Sequence, residues 1–231
     1  MPARRRTNSN SESVDNYLKA ILSLSGTERC RVTSTALAGA LGVAPASVTN
    51  MLQKLAAAAT PLVEYERHRG VLLSAAGRRR ALEVLRHHRL IETFLYEILD
   101  YPIEEVHEEA ERLEHFISER FEQRIAAKLG HPRIDPHGHS IPTMEGEMTE
   151  RNSILLSEVS DEGRFIIDSV SDRDPGALRR LKASGIKPGA SLRVRKKSAA
   201  EGYSVSIGRT SRTVALSREA ASGIRLLPRA K

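Results

Sequence analysis

His107, Glu111, Glu114 and His115 recur at i, i+4, i+7 and i+8 in the stretch from Val106 to Ile117. Read as one helix, that stretch carries Val106, Ala110, Leu113 and Ile117 as an apolar stripe, with the four polar residues flanking it. A carboxylate or imidazole bordering a core is costly without a partner. These two side-chain types are also the usual ligands of divalent first-row metals. His88 and Glu92 stand at i, i+4 on the preceding helix and add a second pair. A solvated Glu-rich face is the ordinary account of any one of these residues. Two imidazoles and two carboxylates at helical spacing, faced by another His/Glu pair, favour metal binding instead.

The elements that must position these groups can be read in chain order. Residues 1–12 are rich in Arg, Ser and Asn and read as a disordered basic arm. A first helix starts near Ser13 or Val14, with Tyr17, Leu18, Ile21 and Leu22 at helical period. Ala36, Leu37, Ala40 and Leu41 mark a short helix stopped by Gly42, and Pro45 opens the next. Two short helices about a tight turn are a helix-turn-helix. Its second helix presents Ser47, Thr49, Asn50, Gln53 and Lys54, while Val48, Met51, Leu52 and Leu55 face inward. Asn and Gln can each pair with adenine in the major groove. Residues 62–73 read as a hairpin with Arg67 and Arg69 at its tip, within reach of phosphates. A helix-turn-helix followed by such a wing is a winged helix, so residues 13–74 are expected to bind DNA. An ordinary pair of packed helices is the bland alternative.

A long helix runs from Ser74 to about Leu99, and the metal-type helix from about Ile103 to Leu129, ended by Gly130. Their wide apolar faces predict a dimer, with residues 75–130 as a helical metal-binding and dimerisation domain. Residues 131–152 form a Pro/Gly/His-rich linker in which His131, His137 and His139 are read as structural. From residue 153 to 231, short alternating segments around a helix at Pro175–Ser184 predict a small antiparallel barrel. The fold class is therefore mainly α with a β domain: winged helix-turn-helix, helical dimerisation domain and SH3-like β-barrel.

Composition narrows the function classes. Lys and Arg number 36 against 29 for Asp and Glu, giving a formal +7 over 231 residues and favouring a polyanionic partner. Trp is absent and aromatics are few, which argues against stacking on single-stranded bases. Cys30 is the one cysteine, consistent with a reducing compartment. No apolar run approaches a membrane span and no hydrophobic segment follows the basic start, so the expected location is the cytoplasm, with no membrane partner.

With these parts assembled, the chain resembles the diphtheria-toxin-repressor family of metal-dependent transcriptional repressors. The segments that carry the resemblance are His88 to Glu92 and His107 to His115, and it extends from Tyr17 to the barrel, which is similar to the family's SH3-like (FeoA-like) domain. The resemblance implies a principal metal site of Glu111, Glu114 and His115 with a first-helix ligand, at Asn16 or the neighbouring Asp15. It implies a second site of His88, Glu92 and His107 with a carboxylate from the barrel, Asp168. Iron-responsive members carry cysteine where this chain has Glu111, and manganese-responsive members carry glutamate. Lys19 stands where some manganese-responsive members have a Glu ligand, which argues against their two-metal cluster.

The implied function is a repressor that binds double-stranded operator DNA as a homodimer when loaded with Mn2+ and controls metal-ion transport genes, with metal ions as its only small ligands. An Fe2+-dependent repressor of iron-uptake genes is the alternative within the family. Outside it stand a metalloenzyme, against which no nucleophile motif or phosphate loop is seen, and an architectural DNA-binding protein whose acidic stripe is only surface.

Overall fold

The computed structural model describes residues 3–26, 30–198, 202–208 and 213–228. It divides into two compact units. One contains Met1–His87 with Pro142–Glu147, and the other His88–Ile141 with Met148–Lys231.

In the first unit, α1 (Ala3–Ser25), α2 (Ser34–Leu41) and α3 (Pro45–Ala56) precede a hairpin of β1 (Val63–Glu66) and β2 (Gly70–Leu73). Helical backbone thus runs through most of the stretch read as a disordered arm. Apolar period begins only at Val14, so no hydrophobic spacing marks an earlier helix start; residues 1–2 lie outside the described residues. Thr33 caps α2 by accepting from the Ala36 N–H, and Gly42 ends it in the left-handed region at φ 63°. The chain bends by 110° between α2 and α3, the angle of a helix-turn-helix. Val48, Leu52 and Leu55, at i, i+4 and i+7 of α3, are buried with Leu18, Ile21, Leu37, Val63 and Val71 in one core. Burying a side chain such as Leu52 is worth roughly 1.5–3 kcal/mol, and that burial fixes which face of α3 is left outside.

Helix α4 spans Ala75–Ile98. The Ser74 hydroxyl accepts from the Gly77 N–H at its start.

In the second unit, α5 (Val106–Leu113) buries Val106 and Ala110 against Ile91 and Leu95 of α4. The single helix expected through to Leu129 is instead two. The α5 helix stops after Leu113, and α6 (Glu119–Lys128) begins at a Ser118 cap whose hydroxyl accepts from the Phe121 N–H. Acidic Glu119 and Glu122 in the first turn of α6 favour that restart through the helix dipole. Leu113 is consequently 38% exposed while Glu114 is buried, the reverse of the expected stripe.

The rest of this unit is a six-stranded antiparallel sheet in the order β3-β8-β4-β5-β6-β7. Its strands are β3 (Ile154–Leu155), β4 (Gly163–Val170), β5 (Ser191–Ser198), β6 (Gly202–Ile207), β7 (Thr213–Leu216) and β8 (Ile224–Pro228), with helices α7 (Pro175–Ala183) and α8 (Arg218–Ser222) between them. Leu156, Ile167, Leu192, Val205, Ile224 and Leu226 form its core with Leu178 and Leu181 of α7. The β4–β8 register shifts between Ile167 and Ser169, so Asp168 occupies a bulge.

Candidate metal centre

Helix α4 turns His88 and Glu92 to one side, one helical turn apart, and the first turn of α5 brings His107 against them. His88 Nε2 is 2.9 Å from Glu92 Oε1 and 3.0 Å from His107 Nδ1, and His107 Nδ1 is 3.1 Å from the same oxygen. Three mutual contacts cannot all be met by protons. If both imidazole nitrogens donate to the carboxylate, two N–H groups face each other. A single cation satisfies all three atoms at once. Two ligands at right angles and about 2.1 Å from one ion stand about 3.0 Å apart, so the triangle has the dimensions of one octahedral face.

The surroundings fix the imidazoles. Glu114 accepts from His88 Nδ1 at 2.6 Å, which leaves Nε2 for the triangle, the usual outer support of a ligating histidine. Glu92 is fully buried. Burial works against its charge, but His88, His107 and His137 together outweigh that and hold its carboxyl well below the usual range. The carboxylate arriving from the sheet domain is Asp172, just after β4, with Oδ2 at 3.7 Å from His107 Nδ1. Asp168, the residue expected there, is instead paired to Arg151 at 2.6 Å. The bulge holds Asp168 at a buried position along β4, and Asp172, four residues later, is the carboxylate that faces His107.

Glu111, Glu114 and His115 are also near this point, but in an altered arrangement. Glu111 Oε1 lies 3.9 Å from His88 Nδ1 and 4.0 Å from His107 Nε2. His115 Nε2 is 3.3 Å from Glu114 Oε1. Ligand atoms of His88, Glu111 and Glu114 fall within 4.8 Å of one another, so His88 stands in that grouping where His115 was expected. Both lie at the end of α5: Glu114 is its cap, still helical with its N–H donating to the Ala110 carbonyl, and His115 lies just beyond it.

On α1, Asp15 is taken up by Arg80, whose Nε donates to Oδ1 at 2.6 Å. Asn16 beside it is half-buried.

A loop that sequence reasoning set aside supplies more candidates. His137 Nδ1 is 3.7 Å from Glu92 Oε2, and His139 Nδ1 is 3.7 Å from Asp172 Oδ2. Burial disfavours a charged His137, yet Glu92, with Asp135 and Asp172 behind it, raises it to about 9. Asp-Pro-His-Gly-His carries no helical period, and only the alternation of Asp135, His137 and His139 could have marked it.

The nucleic-acid face is simpler. Ser47, Asn50, Gln53 and Lys54 of α3 are exposed, whereas Thr49 is half-buried with its hydroxyl donating to the Pro45 carbonyl at 3.1 Å. Arg67 and Arg69 are exposed at the hairpin tip, and Arg69 also donates to Glu66 at 2.8 Å.

Comparison with known proteins gives the family. Residues 10–71 match the family model of the iron dependent repressor N-terminal DNA binding domain, and residues 74–143 that of its metal binding and dimerisation domain. Residues 154–227 match the FeoA domain. The chain is 32% identical over 140 residues to the iron-dependent repressor IdeR of Mycobacterium leprae, covering 55% of this chain and 60% of that protein. It therefore spans less than two thirds of the curated relative. Among solved structures, a manganese-dependent transcriptional repressor in complex with manganese is 37% identical with TM-score 0.84, covering 93% of this chain and 99% of the other. ScaR with bound Zn2+ is 30% identical with TM-score 0.80, covering 93% and 99%. With both repressor domains and the FeoA domain matched in order, the chain belongs to the iron-dependent repressor family of metal-dependent transcriptional repressors.

Proposed function

We propose that this chain is a Mn2+-responsive repressor that binds operator DNA as a homodimer in the cytoplasm and controls genes for metal-ion transport. The observation that carries the reading is the triangle of His88 Nε2, Glu92 Oε1 and His107 Nδ1, with edges of 2.9–3.1 Å. Mn2+ is favoured because Glu111 puts a carboxylate where iron-responsive members carry a softer thiolate. Its likeness to a manganese-dependent repressor supports the same choice. Fe2+ is the second reading, supported by the match to IdeR. Asn16 as the first-helix ligand and His115 beside Glu114 rest on the family resemblance.

A bound ion would supply the positive charge on which the carboxylates and imidazoles converge. His88 then joins two groups of ligands, since one ring nitrogen serves Glu114 and the other faces Glu92 and His107. Operator affinity responds only if the DNA-competent arrangement holds the ion more tightly than the alternative does. A tenfold response needs about 1.4 kcal/mol of coupling. On the DNA side, the reading assigns Asn50 and Gln53 to base edges, Ser47, Thr49 and Lys54 to neighbouring contacts, and Arg67 and Arg69 to phosphates. For dimerisation, Leu113, Phe116 and Phe121 offer apolar surface at 38%, 62% and 50% exposure.

The test is binding to a duplex selected from random sequence, at fixed salt, titrated with Mn2+, anaerobic Fe2+ or Zn2+ against a chelated control. Stimulation by Mn2+ at the lowest free metal supports the proposal, and stimulation by Fe2+ at lower free metal moves the chain to the iron branch. Equal binding with and without metal would refute both and favour an architectural role.

A further inference from the structure

The charge of the chain is not spread evenly. Residues 153–231 carry 16 Lys and Arg against eight Asp and Glu, a formal +8, while residues 1–152 carry 20 against 21, a formal −1. Residues 13–74, which hold the helix-turn-helix and its hairpin, have six basic and four acidic residues and come to only +2. The strongest attraction for a polyanion therefore belongs to the sheet domain and not to the winged helix.

Part of that charge is set out in a row. Antiparallel register places Arg164 of β4 opposite Arg193 of β5, Arg193 opposite Ser206 of β6, and Ser206 opposite Thr213 of β7. Residues opposite one another share a face, and Leu192, Val194 and Val205, at the alternate positions, fill the core on the other. The β5–β6 register shifts between Val194 and Lys196, so Arg195 is the extra residue of a bulge. Its Nε–H donates to the Ser206 hydroxyl at 3.3 Å, which brings a third guanidinium to the row. Arg164, Arg193 and Arg195 are all exposed. Like charges directly opposite each other weaken a sheet, and a neighbouring carboxylate is the usual relief. Among the described residues none of the three arginines has one: Asp161 and Glu162 stand just before β4 but pair with none of them.

We propose that this face of the sheet, with Arg164, Arg193 and Arg195 at its centre, holds phosphates of duplex DNA without regard to sequence. A guanidinium fits two phosphate oxygens at once, and hydroxyls such as that of Thr213 are common phosphate donors. DNA is the occupant because residues 10–71 match a DNA binding domain whose own net charge is small. The row holds no aromatic ring on which unpaired bases could stack, which favours a duplex over single strands. Such a surface raises affinity for any stretch of duplex and leaves the choice of operator to α3.

The experiment measures binding of the full-length chain to a random-sequence duplex by fluorescence anisotropy, with Mn2+ present, across a series of salt concentrations. Arg164→Gln, Arg193→Gln and Arg195→Gln are combined in one variant. A second variant, Arg179→Gln with Lys187→Gln and Arg218→Gln, removes the same charge from exposed residues elsewhere in the domain. Each neutralised phosphate contributes about 0.9 to the slope of log affinity against log salt. The first variant is therefore expected to flatten the slope by about 2–3, and the second by less than about 1. Thermal melts confirm that both fold, and Arg193→Gln alone, expected to flatten the slope by about 1, serves if the triple variant does not. An unchanged slope in the row variants overturns the inference, and so does an equal loss in both triple variants, since net charge alone would then account for it. Binding to single-stranded RNA or to phosphatidylglycerol vesicles that is tighter than to the duplex, and depends on the row, overturns the choice of DNA. None of these readouts needs metal to stimulate binding, so indifference to Mn2+ refutes the sensor reading alone.

Discussion

Glu92→Gln is the most informative single change, because Glu92 is fully buried and contacts His88 and His107 through one oxygen. Gln keeps the shape and an acceptor oxygen but removes the charge. Native protein at a free Mn2+ of 100 times its dissociation constant gains about 2.7 kcal/mol from binding. For a unit of this size that raises the melting temperature by roughly 5–10 °C. Weakening a site by about 100-fold is a loss of about 2.7 kcal/mol. At the same Mn2+ concentration the variant is then only half loaded and gains about 0.4 kcal/mol, or roughly 1 °C. The assay is a thermal melt followed by calorimetry across a Mn2+ titration, with a chelated sample as zero. A variant whose Mn2+ response overlays that of the native chain would refute the assignment of Glu92 as a ligand.

Other expectations concern separate parts of the molecule. Asn50→Ala should weaken specific DNA binding by about 1–3 kcal/mol, as measured by mobility shift, with Mn2+ affinity unchanged in dialysis. Leu52→Ala, at a fully buried position of α3, should cost about 2–5 kcal/mol in urea unfolding and abolish DNA binding while metal binding persists. Gly138→Ala should destabilise by at least about 2 kcal/mol, through its positive φ and the collision with the Asp168 carbonyl. Phe116→Glu should shift the protein toward monomer in sedimentation, since it places a charge on a residue that is 62% exposed and apolar.

What could be read from the sequence depended on whether a local rule governed the residue. Gly42 and Pro45 announce a helix stop and a helix start, and the turn between α2 and α3 falls there. His88, Glu92 and His107 were legible because all three sit on regular helix, where spacing fixes direction. Glu114 and His115 were harder, since Ile117 continues the apolar period past the end of α5 and hides the break before the Ser118 cap. The resemblance points to Asp168, and Asp172 carries no local signal, because only a tertiary approach brings it to His107. His137 and His139 lie in an irregular loop, and tertiary contacts with Ile103 and Val170 decide where they point.

His88 spends both ring nitrogens, one on Glu114 and the other on Glu92 and His107. Such a residue leaves little room for piecemeal adaptation. A lineage under pressure to sense a different metal cannot retune the Glu111–Glu114 side while leaving the Glu92–His107 side as it was, because any change in the protonation or tilt of this one ring is felt on both. Substitutions that alter preference should therefore arise in linked sets, and designers who wish to re-aim the sensor would do better to vary both sides together than to screen them one position at a time.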